Sequence, residues 1–360
     1  MSQRFYRPEL DALRFFAFAC VFIFHLPARS ETILAVTWTG ALGVSIFFLL
    51  SAYLIVTLLL REREATGTIR LGAFFARRVL RIWPLYFAVI FAAYLLGCIY
   101  APAHISAHAV MALSLLAGNL YIVNNGWTLV TINALWSVSV EEQFYLAVPA
   151  ITRAGGRRAL TVVCIVAIIG AYVTIAWLGR HGEIATYIAW ANSFVQFQFF
   201  AAGGLIAVLL NGRALSYPLL PRMGVLCLGL ALWSLATVRY RVQSPEPASA
   251  EQLGVGYLFV LVGTVLIFLA VAGASVRVPA VIRYLGKISY GLYVFHQFWL
   301  WLFFIPRNDG FTSYFITHEP LGIVLALAGT LLSAMLSYHY FESPILRFKN
   351  RFEVIRTRPA

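Results

Sequence analysis

Long, nearly uninterrupted apolar runs recur from one end of this sequence to the other, and they leave few folds open. A run of about 18 or more apolar residues, wound as a helix, crosses a bilayer core about 30 Å thick. The runs are continuous and do not alternate polar with apolar. That pattern selects helices over a barrel, because a helix satisfies its own backbone groups within one segment. Composition agrees: 61% of the residues are hydrophobic and only 11% are charged, where a soluble domain carries about 25% charged residues.

The apolar runs and their flanks predict an all-α polytopic transmembrane bundle of about ten spans. They fall at 9–26, 40–60, 82–101, 134–152, 159–179, 186–210, 222–239, 253–273, 288–305 and 320–341. A shorter run at 109–123 is left open by its length, which does not tell a crossing from a re-entrant or interfacial segment. Arg4 and Arg7 ahead of an apolar stretch, with Ala28-Arg29-Ser30 after it, resemble a cleaved signal. Glu9 and Asp11 are foreign to the positive start of such a signal, so 9–26 reads as a retained first span.

Charge sets the orientation. With a cytoplasmic N-terminus and 109–123 not crossing, only Arg29, Arg180, Arg239, Arg241 and Arg307 of the 27 Lys and Arg fall on the far side. If 109–123 crossed, every later loop would invert and the basic C-terminal end would face outward, against the positive-inside bias. Both termini are therefore expected in the cytoplasm of an inner (plasma) membrane protein. Residues 1–348 read as one membrane domain and 349–360 as a short basic tail. The net charge of +13 sits beside spans, which speaks for a lipid bilayer partner and against nucleic acid. Cys20, Cys98, Cys164 and Cys227 are scattered singly, with neither metal-knuckle nor disulfide spacing, and read as small core residues.

Ionisable residues inside a span cost about 2.5–3.5 kcal/mol each at a helix centre and usually face a cavity with a function. Three segments hold them. In the first span Arg14 and His25 are eleven residues apart, close to three helical turns, so they share a face over about 16 Å. Asp11 lies one turn before Arg14 and is placed to pair with it. A snorkelling arginine and an interfacial histidine would explain the same pair. In the fourth span Ser137, Glu141 and Tyr145 follow i, i+4 spacing and form one polar stripe beside Trp136, while Glu142 points about 100° away. On this topology His25 and Glu141 both fall in the outer half, placed for a base and the carboxylate that orients it. The third segment, Arg77, Arg78 and Arg81 at the mouth of span three, suits bidentate phosphate contacts or ordinary anchoring. His296 is a further intramembrane histidine of catalytic or packing type.

Taken in order, these segments resemble the acyltransferase 3 family of membrane-bound acyltransferases. The resemblance runs through Arg7-Pro8-Glu9-Leu10-Asp11-Ala12-Leu13-Arg14 with His25, then Gly43 through Ser51, Arg78-x-x-Arg81-Ile82-x-Pro84-Leu85-Tyr86 and Trp136 through Tyr145. It ends with Ser289-Tyr290-Gly291-Leu292-Tyr293-x-x-His296 and Glu342-x-Pro344, and so covers about 4–348. The family's second-span motif usually has Asp where this chain has Ser45 and Gly where it has Ala52. An esterase-like segment, carried by some members, is not seen in these residues.

The resemblance implies transfer of an acyl group, commonly acetyl, from cytoplasmic acyl-CoA to a hydroxyl of a carbohydrate or a glycosylated or lipid-linked acceptor. It implies His25 as the catalytic residue, Glu141 as its partner, and Arg78 and Arg81 as donor-site residues. Arg77, Arg14, Asp11, Ser137, Tyr145, Trp136 and His296 join the expected binding set. Acyl-CoA enters as co-substrate, with no permanently bound cofactor and no metal. The competing class is a proton-coupled transporter or flippase, which uses the same intramembrane residue types. No inverted repeat or matching pair of broken spans supports it.

Overall fold

The computed structural model of the chain describes residues 6–27, 37–128, 130–304 and 310–355. Arg4, Arg29 and Arg307, weighed above for orientation, lie outside the described residues, as do Arg356 and Arg358 of the basic C-terminal end. Among those described, the chain is helical throughout, and the one β contact is an isolated antiparallel bridge between Ile184 and Ala248. Seven helical stretches are long and apolar enough to cross a membrane: Thr37–Thr66, Leu71–Ile99, Leu135–His181, Ser193–Leu210, Leu219–Val238, Ala250–Val271 and Glu319–Phe348.

The helices, in chain order, begin with α1 (Pro8–Phe24), α2 (Gly43–Thr66) and α3 (Leu71–Ile99). Two short helices follow, α4 (Ala107–Ser114) and α5 (Gly118–Asn125), then α6 (Leu135–Leu178), α7 (Thr186–Ala191) and α8 (Ser193–Leu210). The rest are α9 (Leu219–Val238), α10 (Ala250–Val271), α11 (Ala280–Lys287), α12 (Ser289–Phe304), α13 (Gly310–Thr317), α14 (Glu319–Leu336) and α15 (Ser343–Phe348).

Several boundaries differ from the sequence expectation, each for a local reason. The basic 61–81 stretch is not a loop: α2 continues to Thr66 and α3 starts at Leu71. Arg61, Arg77, Arg78 and Arg81 therefore stand on helices, and the last three turn inward, Arg77 onto Glu62 and Arg78 and Arg81 onto a cavity wall. The run at 109–123 is two eight-residue helices, interrupted where Leu116 takes φ 57°. Each rises only about 12 Å, too little to cross. The 186–210 run breaks at Asn192, whose side chain caps α8 by accepting from the N–H groups of Phe194 (2.9 Å) and Val195 (3.4 Å). Arg222, the first residue of the expected 222–239 span, turns inward. It is 5% exposed and donates to the carbonyls of Tyr217, Ala270 and Ala272, the last two at the partly negative C-terminal end of α10. Cys98 and Cys227 are exposed, so only Cys164 is the buried core residue expected of all four.

α2 is the hub. It packs on α1, α6, α8 and α10, and most of its side chains from Gly43 to Glu62 are buried. Apolar residues around its whole circumference let it serve as a centre. Close approach needs a residue without a side chain: a Cβ at Gly203 of α8 would sit 2.2 Å from the Leu49 carbonyl oxygen of α2. This placement leaves one side of α2 facing α1, α3, α6 and α12, where the ionisable residues collect.

The 44 residues of α6 are not one continuous helix, since Gly156 has φ 57° and ψ −139°. Only glycine takes that conformation readily, and a Cβ there would lie 1.5 Å from a guanidinium nitrogen of Arg63. Gly156→Ala is therefore expected to cost about 1–3 kcal/mol, read as a thermal midpoint several degrees lower for the detergent-purified protein. An unchanged midpoint would show that the break does not depend on glycine.

Candidate active site

A cavity of about 200 Å³ opens among α1, α2, α3, α6 and α12. Each helix presents a stripe spaced by three or four residues, so helical periodicity places the lining. α1 contributes Asp11 and Arg14, with Arg7 just ahead of it; α2 contributes Phe47, Ser51 and Leu58; α3 contributes Arg78 and Arg81. Ser137, Glu141 and Tyr145 of α6 line it together, as their spacing predicts, and Tyr290 and Tyr293 come from α12.

One end of the cavity is cationic. Arg14 pairs with Asp11 at 3.2 Å, as expected of residues one turn apart, and Tyr6 donates to the other Asp11 oxygen at 2.9 Å. Arg78 lies over the rings of Phe74 (5.7 Å) and Tyr145 (5.6 Å) and has no ion pair among the described residues. Its buried Nε has no hydrogen-bond partner. Lys349, assigned to a tail in the sequence, lines this same end. Burial, then the positive charges of Arg81 and Arg78, push its ammonium down to about 7. Arg77 belongs elsewhere: it pairs with Glu62 at 3.4 Å and donates to the Phe352 carbonyl. It lines a small neighbouring pocket with Glu62 and Lys349.

Midway along the cavity, Glu141 accepts hydrogen bonds on one carboxylate oxygen from the hydroxyls of Ser51 and Tyr145. At the far end Tyr293 and Ser137 close it. Their hydroxyls are 2.8 Å apart, and both reach the Ala134 carbonyl, at 3.2 and 3.0 Å.

His25 stands behind that closure, not on the cavity wall. Its Nδ1 is 2.9 Å from the Val21 carbonyl oxygen and 3.3 Å from His296 Nε2, while its Nε2 is 2.9 Å from the Gln297 amide nitrogen. His296 is fully buried and its Nδ1 lies 2.6 Å from the Tyr293 carbonyl. Its ring centroid is 4.9 Å from His25 and 5.6 Å from Tyr293. The histidine pair thus continues the cavity's axis by one layer of side chains.

No hydrogen bond joins His25 to Glu141, so the structure does not show the contact expected between them. They lie on opposite sides of the Ser137–Tyr293 layer. Trp136 is also outside the cavity, packed among Phe48, Trp127 and Trp190. Glu142 takes a hydrogen bond from the Trp83 indole at 3.1 Å. Gln297 and Lys349 are the residues that the sequence reading missed. Gln297 is a polar residue next to His296 within an apolar span, which was a usable signal. Lys349 carried none, because a lysine after the last span reads as anchoring.

This order of groups fits transfer of a group from an anionic donor: unpaired cation, hydroxyl–carboxylate cluster, then histidine. A family model described as an acyltransferase domain matches residues 7–339. The chain belongs to the acyltransferase 3 family. The protein named O-acetyltransferase OatA in Staphylococcus aureus strains COL and MW2 is 26% identical over 369 residues, covering 94% of this chain and 57% of the relative. The chain thus spans somewhat over half the length of those relatives. No solved structure matches it.

Proposed function

We propose that this multi-pass membrane protein is an O-acyltransferase that moves an acyl group, acetyl in the first instance, from cytoplasmic acyl-CoA to a hydroxyl of a carbohydrate or a glycosylated or lipid-linked acceptor. The observation that carries this reading is the cavity itself, cationic at one end and separated at the other from His25 by a single layer of side chains. Family membership supports acyl transfer, and the name of the Staphylococcus aureus relatives supports acetyl and oxygen.

Ten crossings with both termini in the cytoplasm remain the topology we favour. The break at Gly156 divides α6 into two candidate spans, and α1 and α12, with 17 and 16 residues, supply two more. With the other six long helices they make up the ten. The positive-inside bias then puts Arg78, Arg81 and Lys349 on the side where acyl-CoA is made.

In the mechanism, Arg78, Arg81 and Lys349 hold the CoA phosphates, and the pantetheine arm runs past Arg14, Ser51 and Glu141. The thioester stops at Tyr293 and Ser137, whose hydroxyl protons turn from the Ala134 carbonyl to the developing oxyanion. His25 takes the proton of the acceptor hydroxyl as that oxygen bonds to the thioester carbonyl carbon. The carbon–sulfur bond breaks, and the imidazolium returns its proton to the CoA thiolate. A positioned base of this kind contributes about 10²–10⁴ in rate. His296 and Gln297 orient His25 in place of Glu141, which instead holds the cavity wall through Ser51 and Tyr145.

Two outcomes test this. His25→Ala is expected to abolish acyl transfer while acetyl-CoA still binds to the folded protein; full activity would end the proposal. Lys349 is charged below about pH 7 and neutral above it, so its hold on phosphate fades as pH rises. The kcat/KM for acetyl-CoA of Lys349→Arg, divided by that of the wild type, should therefore rise with pH through about 7. A ratio constant with pH would remove Lys349 from the donor site.

A further inference from the structure

The hydrogen bonds around Gln297 determine which nitrogen of His25 is free to act. The backbone N–H of Ala134 can only donate, so the Gln297 atom facing it at 2.5 Å is Oε1, an acceptor. That turns the amide NH₂ toward His25 Nε2 at 2.9 Å. An NH₂ group can only donate, so Nε2 accepts with its lone pair and the proton of the neutral ring sits on Nδ1.

The other side of the ring agrees. His25 Nδ1 faces the Val21 carbonyl oxygen at 2.9 Å, an acceptor only. His296 Nδ1 faces the Tyr293 carbonyl at 2.6 Å and so carries its own proton, which leaves His296 Nε2 as an acceptor 3.3 Å from His25 Nδ1. Three backbone groups on three separate segments thus impose one proton arrangement on three side chains.

We infer that Gln297 is a positioning residue that reserves the Nε2 lone pair of His25 for the acceptor hydroxyl. This rests on the reading of His25 as the base. A neutral imidazole nitrogen has one lone pair, so the Gln297 amide occupies the direction from which the hydroxyl must approach. The acceptor enters by taking the amide's place. The displaced N–H then donates to the hydroxyl oxygen and turns the hydroxyl proton toward Nε2. That proton moves to Nε2 as the oxygen bonds to the thioester carbon and the CoA thiolate departs.

Two substitutions separate this role from mere packing. Gln297→Ala removes the donor. Gln297→Glu keeps the shape and the bond to Ala134 but turns an acceptor toward His25, so Nε2 holds a proton and the lone pair is lost. CoA release from acetyl-CoA by the purified full chain is measured with water and with soluble oligosaccharides as acceptors, alongside His25→Ala and thermal midpoints. The expected kcat falls about tenfold for Gln297→Ala and at least tenfold further for Gln297→Glu, within the range a positioned base supplies. The KM for acetyl-CoA stays unchanged in both. Gln297→Glu as active as Gln297→Ala or more so, or both matching the wild type while His25→Ala is dead, would overturn the inference alone. Activity in His25→Ala would overturn the base reading beneath it.

Discussion

A charged or hydrogen-bonding side chain in hydrocarbon has no water to turn to, and the layout of this protein follows from that constraint. The ionisable residues of α1, α3 and α6 meet on the one side of the α2 hub that the apolar packing leaves open. Asp11 satisfies Arg14, Glu62 satisfies Arg77, and Glu141 gathers Ser51 and Tyr145. What remains unsatisfied is as informative. Arg78, its Nε buried and without a partner, lies on the wall of the cavity. A buried donor left without a partner is costly, and an anionic ligand in the cavity would remove that cost.

The second organising feature is the layer made by Ser137 and Tyr293. It separates the cavity, which reaches from its cationic end past Glu141, from a cluster formed by His25, His296 and Gln297. On the proposed reading, in which an acyl group moves from a cytoplasmic donor to an acceptor on the far side, such a division is needed. A continuous aqueous channel would leak ions and let water compete for the thioester. On this account the chemistry happens at the partition, with the donor approaching one face and the acceptor hydroxyl the other.

How much of this was legible in the sequence differs by level. The helical class and the shared face of Ser137, Glu141 and Tyr145 follow from length and periodicity, which are local properties of the chain. The 109–123 run, by contrast, was left open by its length and was read as non-crossing only through the charge bias of the later loops. The Arg14–Asp11 pair is local too. The supposed His25–Glu141 contact failed because depth in the membrane does not determine azimuth: two residues at one level of a bundle are separated by whatever helix face lies between them, here that of Ser137 and Tyr293. Trp136 failed similarly, sharing a motif with cavity residues while pointing into an aromatic cluster. Lys349 and Gln297 acquire meaning only through residues distant in sequence, Arg78 in one case and His25 with Ala134 in the other.

The central claim is that one cavity receives the donor and delivers its acyl carbon to the partition beneath His25. A cryo-EM structure of the purified chain with an acetyl-CoA analogue, its thioester replaced by a non-transferable thioether, tests this most directly. The account predicts phosphate density within hydrogen-bonding reach of Arg78, Arg81 and Lys349, and the acyl end against Tyr293 and Ser137. Density with the phosphates at the His25 end, or in a site that shares none of these residues, would contradict it.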